Sequence, residues 1–333
     1  MEKKKIWILC ITIASMLLAG CSMTTNHRET ISAEEKSLIT VGFAQIGAES
    51  DWRIANTESM KEALSVENGF RLLISDAQQK QQNQTKAVRD FISQEVDVIV
   101  IAPVTEDGWE TVLEEARDAG IPVIVVDRMI NVTDDSLYTC WVGSDFEKEG
   151  RDAADWLVNY MEARDESSGG GHQIAILKGT IGSTAEIGRT KGFNEAIKKY
   201  TNYEIVSEQL GDFIQTKGKK AMEYCLQKYP DIDVVIAQND NMAFGAIEAI
   251  EEIGKKPGKD IVIVSFDAVK AAFEAMIEGK LNVSIECNPL HGPRVAEIAK
   301  RIMSGESVDK LQYVEEGIYP AETAAKELPN RKY

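Results

Sequence analysis

Cysteine and histidine are scarce in this chain. Of 333 residues, five are Cys and three are His. Cys10 and Cys21 fall within the first 21 residues. Cys140, Cys225 and Cys287 remain, an odd number at wide spacing with no C-x-x-C among them. This speaks against a disulfide framework and leaves at most a single bridge. His27, His172 and His291 lack metal-ligand spacing, so no metal is expected. The phosphate-cradling patterns G-x-G-x-x-G and G-K-[ST] are absent, as is G-x-S-x-G. The chain is therefore expected to use no nucleotide cofactor, nor any other, and to lack a serine-hydrolase elbow. Basic charge is also short: 37 Lys and Arg stand against 54 Asp and Glu, a formal net charge of −17. Such a surface repels nucleic acid and anionic lipid. No helix-turn-helix precedes the first strand, so no nucleic-acid partner is expected.

Long hydrophobic runs are missing too. The longest, Ile6 to Leu18, is short for a membrane span. It follows Lys3, Lys4 and Lys5 and precedes Leu18-Ala19-Gly20-Cys21. A basic start, a short apolar stretch and small residues before a cut describe a secretory signal. The tetrapeptide also resembles a bacterial lipobox, in which the cysteine becomes the acylated first residue. Residues 1–20 thus read as a lipoprotein signal peptide, Cys21 as the lipidation site and residues 21–37 as a polar tether. A conventional signal that happens to carry Cys21 is the alternative. Removing residues 1–20 takes away three lysines and one glutamate and leaves about −19.

From Ile39 onward, apolar β-branched runs alternate with stretches of helical spacing. Val234 to Ala237 reads as a strand buried on both faces, and Gln238 to Asn241 is abruptly polar. Met242, Ala246, Ala249 and Ile250 then recur at helical spacing. The same grammar recurs in Ile39 to Ala44, Val96 to Ala102, Ile121 to Val126 before Asp127-Arg128, Gln173 to Leu177, and Ile261 to Phe266 before Asp267. A short strand is expected around Leu137 to Val142. Helices are expected over 57–66, 83–95, 109–119, 150–161, 184–200, 217–228, 242–253, 270–278 and 291–303. Ser167 to Gly171 reads as a surface loop. Parallel strands gather their polar C-terminal residues along one rim, where open α/β sheets bind ligands. An Asp or Asn there serves equally well as a helix N-cap. Arg128 cannot, because a guanidinium accepts no hydrogen bond. Two βα halves of similar length imply an α/β protein of two doubly wound parallel-sheet lobes with a cleft between them.

The order and spacing of several motifs carry a resemblance over residues 39–333. They are Val41-Gly42-Phe43 leading to Glu49-Ser50-Asp51-Trp52-Arg53, Asp76-Ala77-Gln78-Gln79-Lys80-Gln81, Asp127-Arg128, Lys191-Gly192-Phe193, Gly211-Asp212-Phe213, Asn239-Asp240 and Lys256-Pro257-Gly258-Lys259-Asp260. The chain resembles the periplasmic sugar-binding proteins of ABC importers, in the ribose- and galactose-binding group, and within it the galactofuranose-binding type. That resemblance implies a type I periplasmic-binding-protein fold with a three-crossing hinge. The first lobe would hold 38–144 and 288–317, and the second 145–287 and 318–333. It implies Asp127 and Arg128 as first-lobe partners of sugar hydroxyls, Arg189 as the second-lobe arginine, Asn239 and Asp267 as polar strand-end groups, and Phe213 and Trp52 as apolar walls. The stretch containing Glu49, Trp52 and Arg53 replaces the aromatic pair of the ribose binders and argues against ribose. Glu286 is expected near the hinge, within reach of ligand. Trp141 is compatible with lining the cleft or with packing between lobes.

A sugar suits these groups: aromatic rings cover its C–H faces while planar Arg, Asn and carboxylate groups direct bonds to its hydroxyls. Asp127, Asp267 and Glu286 would repel an anionic sugar, so a neutral aldose is expected, and the resemblance selects a galactofuranose-like one. The expected function is an extracytoplasmic lipid-anchored monomer that delivers a monosaccharide to ABC permease subunits. A sensor presenting its liganded form to a histidine kinase or chemoreceptor is the second reading, because it uses the same clamp. A glycosidase using Asp127 and Glu286 is the enzymatic alternative. Both carboxylates have hydrogen-bonding duties instead, so no enzyme is expected.

Overall fold

The computed structural model describes residues 38–164 and 171–333. The signal segment, Cys21, His27, the tether and residues 165–170, which include all of the Ser167–Gly171 stretch but Gly171, lie outside the described residues.

The strands fall into two six-stranded sheets. The first contains β1 (Ile39–Gln45), β2 (Phe70–Asp76), β3 (Val98–Ile101), β4 (Val123–Val126), β5 (Cys140–Gly143) and β11 (Leu311–Tyr313). The second contains β6 (His172–Lys178), β7 (Tyr203–Leu210), β8 (Val234–Ala237), β9 (Val262–Asp267), β10 (Val283–Glu286) and β12 (Ile318–Pro320). Their orders, β11-β5-β4-β3-β1-β2 and β12-β10-β9-β8-β6-β7, match position for position. Interior pairings are parallel, whereas β12 lies antiparallel on β10.

Central strands such as β3 (VIVI), β4 (VIVV) and β8 (VVIA) are buried at every position because helices cover both faces of each sheet. In the first lobe these are α1 (Asp51–Ala63), α2 (Gln81–Ser93) and α3 (Glu110–Asp118). In the second they are α4 (Phe146–Arg164), α5 (Thr184–Ile197), α6 (Gln215–Lys228), α7 (Asp240–Glu252) and α8 (Lys270–Ile277). Helix α9 (Gly292–Met303) returns to the first lobe, where the Gly292 N–H donates to Ser59 Oγ at 3.0 Å. Helix α10 (Ala321–Glu327) follows β12. The chain passes between lobes after β5, after β10 and between β11 and β12.

Several sequence expectations shift, among them the helix expected over 150–161, which begins at Phe146 and runs to Arg164. Helix α1 starts at Asp51 rather than at residue 57, capped by the Ser50 hydroxyl, which accepts from the Arg53 N–H. Its buried face carries Trp52, Arg53, Asn56 and Ser59, so polar residues hide the apolar period. Around residue 137, Asp135–Leu137 is a 3₁₀ turn and the strand is confined to Cys140–Gly143. Strands β11 and β12, three residues each and partly exposed, leave no periodic signature.

Candidate functional site

The C-terminal ends of both sheets face one small cavity of about 20 Å³ between the lobes, partly open to solvent. It is lined by Glu49, Ser50, Trp52, Arg53, Asp127 and Arg128 from the first lobe, and by Ala185, Arg189, Phe213, Asn239, Asp267 and Cys287.

On the first side, Ser50 starts α1 so that Trp52 and Arg53 turn inward. The Arg53 guanidinium donates to Glu49 Oε1 at 3.0 Å and to Asp127 Oδ2 at 2.7 Å, and lies 4.5 Å from the Trp52 ring centre. The Trp52 Nε1–H donates across to the Cys287 carbonyl at 2.6 Å. Asp127 directly follows β4. Burial pushes its carboxyl up, but the charges of Arg53 and Arg128 and the Arg53 hydrogen bond outweigh burial and hold it below the ordinary value. Arg128 donates to the Val104 carbonyl at 2.9 Å. Burial, and then the Arg53 charge, bring Arg128 down to about 10, so it remains charged at neutral pH.

On the second side, Arg189 projects from α5. It donates to Glu149 Oε2 at 2.7 Å and to the Gln238 carbonyl at 2.5 Å, and stands 3.5 Å from Asp267 Oδ1. Phe146 and Phe266 flank its guanidinium at 5.4 and 4.8 Å. This placement requires α4 and α5 to touch. A Cβ on Gly150 would lie 2.4 Å from the Arg189 carbonyl oxygen, so only glycine permits that approach. Asn239 is both cap and lining: its Oδ1 accepts from Met242 N–H at 2.9 Å and its Nδ2 donates to the Phe213 carbonyl at 3.1 Å. Burial drives the Asp267 carboxyl well above its ordinary range, and Asp240, Glu149 and Asp127 add to this against the pull of Arg189.

The two lobes repeat one device. β4 and β9 occupy equivalent sheet positions, as do β1 and β6. An arginine from the helix after β1 or β6 (Arg53, Arg189) therefore reaches an aspartate at the end of β4 or β9 (Asp127, Asp267). Asp127, Phe213 and Asp267 have φ of +62°, +63° and +104°, a region costly for residues other than glycine. Such strain, about 1–3 kcal/mol per residue, persists where surrounding structure imposes it, commonly at ligand sites. Two buried atoms here have no hydrogen-bond partner in the protein: Glu49 Oε2, an acceptor, and Arg53 Nη1, a donor.

Nine of the ten site residues read from sequence line this cavity. Glu286 does not. Its Oε1 accepts from Arg331 at 2.8 Å and Tyr333 at 2.7 Å, and its Oε2 from the Gly317 N–H at 2.9 Å and from Tyr319 at 3.3 Å, so it holds the C-terminal segment to β10. Trp141 packs on Tyr313 and donates to the Asp127 carbonyl at 3.0 Å, behind the cavity wall. Glu149 and Gln238, which orient Arg189, were missed. Glu149 shares the core face of α4 with Phe146, Gly150, Ala153 and Leu157, and a carboxylate in that register is the signal that could have found it.

Two like α/β lobes, joined by three strands of chain and enclosing a polar cavity with aromatic walls, define a hinged solute-binding protein. Comparison with known proteins agrees: residues 41–307 match the periplasmic binding protein domain family, and the chain belongs to that family of solute binders, not enzymes. It is 44% identical over 298 residues to the galactofuranose-binding protein YtfQ of Escherichia coli, covering 88% of this chain and 92% of that one. A crystal structure from Mycobacterium smegmatis in complex with β-D-fucofuranose is similar at 45% identity and a TM-score of 0.85, covering 89% of this chain and 95% of that one. The binding component of an arabinose ABC transporter from Shewanella sp. ANA-3, bound to α- and β-L-arabinofuranose, is similar at 44% identity and a TM-score of 0.83, covering 88% and 95%. Among the described residues no helix is long and apolar enough to cross a membrane.

Proposed function

We propose that this protein captures a neutral monosaccharide in its furanose form between the two lobes and delivers it to an ABC permease. The unpartnered pair Glu49 Oε2 and Arg53 Nη1 carries this reading. One buried atom needs a donor and its neighbour needs an acceptor, and a hydroxyl supplies both. Paired Arg–Asp groups on both lobes extend the same demand, and Trp52 and Phe213 suit the C–H faces of a sugar ring. The furanose form rests on the three relatives, whose names or bound ligands are galactofuranose, fucofuranose and arabinofuranose. Delivery, an extracytoplasmic site of action and anchoring through Cys21 complete the proposal, with crossings near Ser144, Glu286 to Asn288 and Gly317 to Pro320 as the hinge and a monomer as the working unit.

Calorimetry against galactose, arabinose, fucose, ribose and galacturonic acid tests the ligand. Micromolar or tighter binding of a neutral, furanose-forming sugar is expected. Tighter binding of the uronic acid than of every neutral sugar would overturn the reading.

A further inference from the structure

The three passages between the lobes meet in one cluster, buried at Ser144, Glu149 and Cys287 and half-buried at Glu316, which the ligand cavity does not include apart from Cys287. Ser144, from the first passage, donates to Glu316 Oε1 at 2.5 Å, from the third. The Asn288 N–H, from the second, donates to the same oxygen at 2.8 Å. Ser144 Oγ and Cys287 Sγ lie 3.4 Å apart. Glu149 completes the group: Glu149, Cys287 and Glu316 bring one ligand atom each within 4.8 Å of one another. Glu149 is 3% exposed; its Oε2 is taken by Arg189 while its Oε1 has no partner in the protein.

We propose that the Glu149–Glu316 pair binds one proton when the lobes close, and that Glu149 is the positioning residue through which this hinge proton reaches Arg189 in the ligand cavity. The inference rests on the closing solute binder proposed above. Glu149 and Glu316 lie within 4.8 Å of one another with Arg189 bonded to Glu149 alone, so a proton taken up by the pair relieves the repulsion that Arg189 leaves uncompensated at Glu316. The charged groups around the pair leave that repulsion standing. Arg189 is committed to Glu149 Oε2, the Gln238 carbonyl and Asp267; Asp127 and Asp267 add negative charge from the β4 and β9 ends; the Cys287 thiol is pushed well up by burial and then by Glu149, and stays protonated. Lys148, on α4, is bonded to Asp152 at 2.5 Å, and the attraction of Asp145 and then Glu316 for it is smaller. Burial, opposed by Arg189, raises the Glu149 carboxyl to about 7, and burial together with the Glu149 charge raises Glu316 to about 8. A recess lined by Asp145, Lys148, Asp152, Glu149 and Glu316 offers the proton a route from solvent.

The sign follows from linkage. The proposal requires that the pair be hydrated when the lobes are apart, which returns these carboxyls to the ordinary carboxylate range. Between about pH 5 and 8 closure therefore takes up a proton, and affinity falls as pH rises, by up to tenfold per pH unit for one proton.

The test is calorimetry of the mature wild-type protein and of Glu316→Gln with the preferred neutral sugar, at pH 5.5 to 8.5, in buffers of different ionisation enthalpy. The glutamine amide can keep the Ser144 and Asn288 bonds and donate permanently to Glu149. Wild type should take up close to one proton more than Glu316→Gln near pH 7 and lose affinity more steeply above it, any shared remainder coming from Asp267 in the cavity. Equal proton uptake in the two proteins, or no uptake in wild type, overturns the proposal. Should no sugar bind either protein, the ligand reading fails on its own account. The hinge proton is then read from melting temperature against pH: wild type must lose stability from pH 6 to 8.5 relative to Glu316→Gln, and parallel curves overturn it.

Discussion

The Arg128 guanidinium, from the end of a first-lobe strand, lies 5.0 Å from the centre of the Phe213 ring, which belongs to the second lobe. A cation over an aromatic face is attracted by the ring quadrupole, more strongly when both are shielded from water, as here. The contact joins the lobes across the cavity. It adds to other bridges, among them Met129 N–H to Thr184 Oγ1 at 2.9 Å, Asp51 N–H to Asn241 Oδ1 at 3.0 Å, Glu106 N–H to the Gly182 carbonyl at 2.8 Å and Trp52 to the Cys287 carbonyl. The cavity lining and the contact between lobes thus draw on the same residues.

Removing either rim arginine should weaken sugar binding. Arg128→Ala and Arg189→Ala are each expected to cost about 1.5–3 kcal/mol of binding free energy, the range for hydrogen bonds to charged groups. The lysine variants should recover little, since an ammonium lacks the planar fork. Titration calorimetry checks both, and unchanged affinity in Arg189→Ala would remove it from the clamp.

Gly179→Ala should damage the aromatic wall. A Cβ there would lie 1.9 Å from the Phe213 ring, whose backbone is already held at φ +63°. Overpacking of this kind costs about 1–3 kcal/mol. The expected result is a lower melting temperature together with weaker sugar binding. A variant with wild-type affinity would show that the ring can move aside harmlessly.

Glu286 predicts a stability effect without a direct ligand effect. Arg331→Ala, or deletion of residues 331–333, strips the buried carboxylate of its charged partner. Breaking a buried pair from one side costs about 3–5 kcal/mol. Urea unfolding should show a loss of that order, somewhat smaller because Gly317 and Tyr319 still donate to the other oxygen.

Anchoring has its own test. Cys21→Ala should move the protein from the membrane fraction to the soluble fraction, and mass spectrometry should find the wild-type mature chain beginning at an acylated Cys21. A mature terminus elsewhere would refute the lipobox reading.

Much of this arrangement could be read before any coordinates. β-branched runs ending in Asp127-Arg128, Asn239 and Asp267 marked strand ends, because a fully buried strand must shed its polar groups where it leaves the sheet. Glu286 ends a strand in the same way, yet it serves the C-terminal segment, and nothing local separates the two uses. Glu149 escaped because the hydrophobic period places the helix start at residue 150, whereas the helix begins at Phe146 and turns Glu149 onto its core face. Helix α1 was cut short because its inward face is polar.

The sequence by itself determined the alternation of strands and helices, since hydrophobic period is a local property of which faces are buried. It also determined the polar rim, since side chains at strand ends have only one edge to share. Which charges meet was decided by the tertiary structure. Arg189 finds Glu149 forty residues away because Gly150 lets two helices close to backbone contact. Glu149, Cys287 and Glu316 meet because three separate passages between the lobes converge. An ion pair depends on distances of a few ångströms, and those are set by packing across the whole fold.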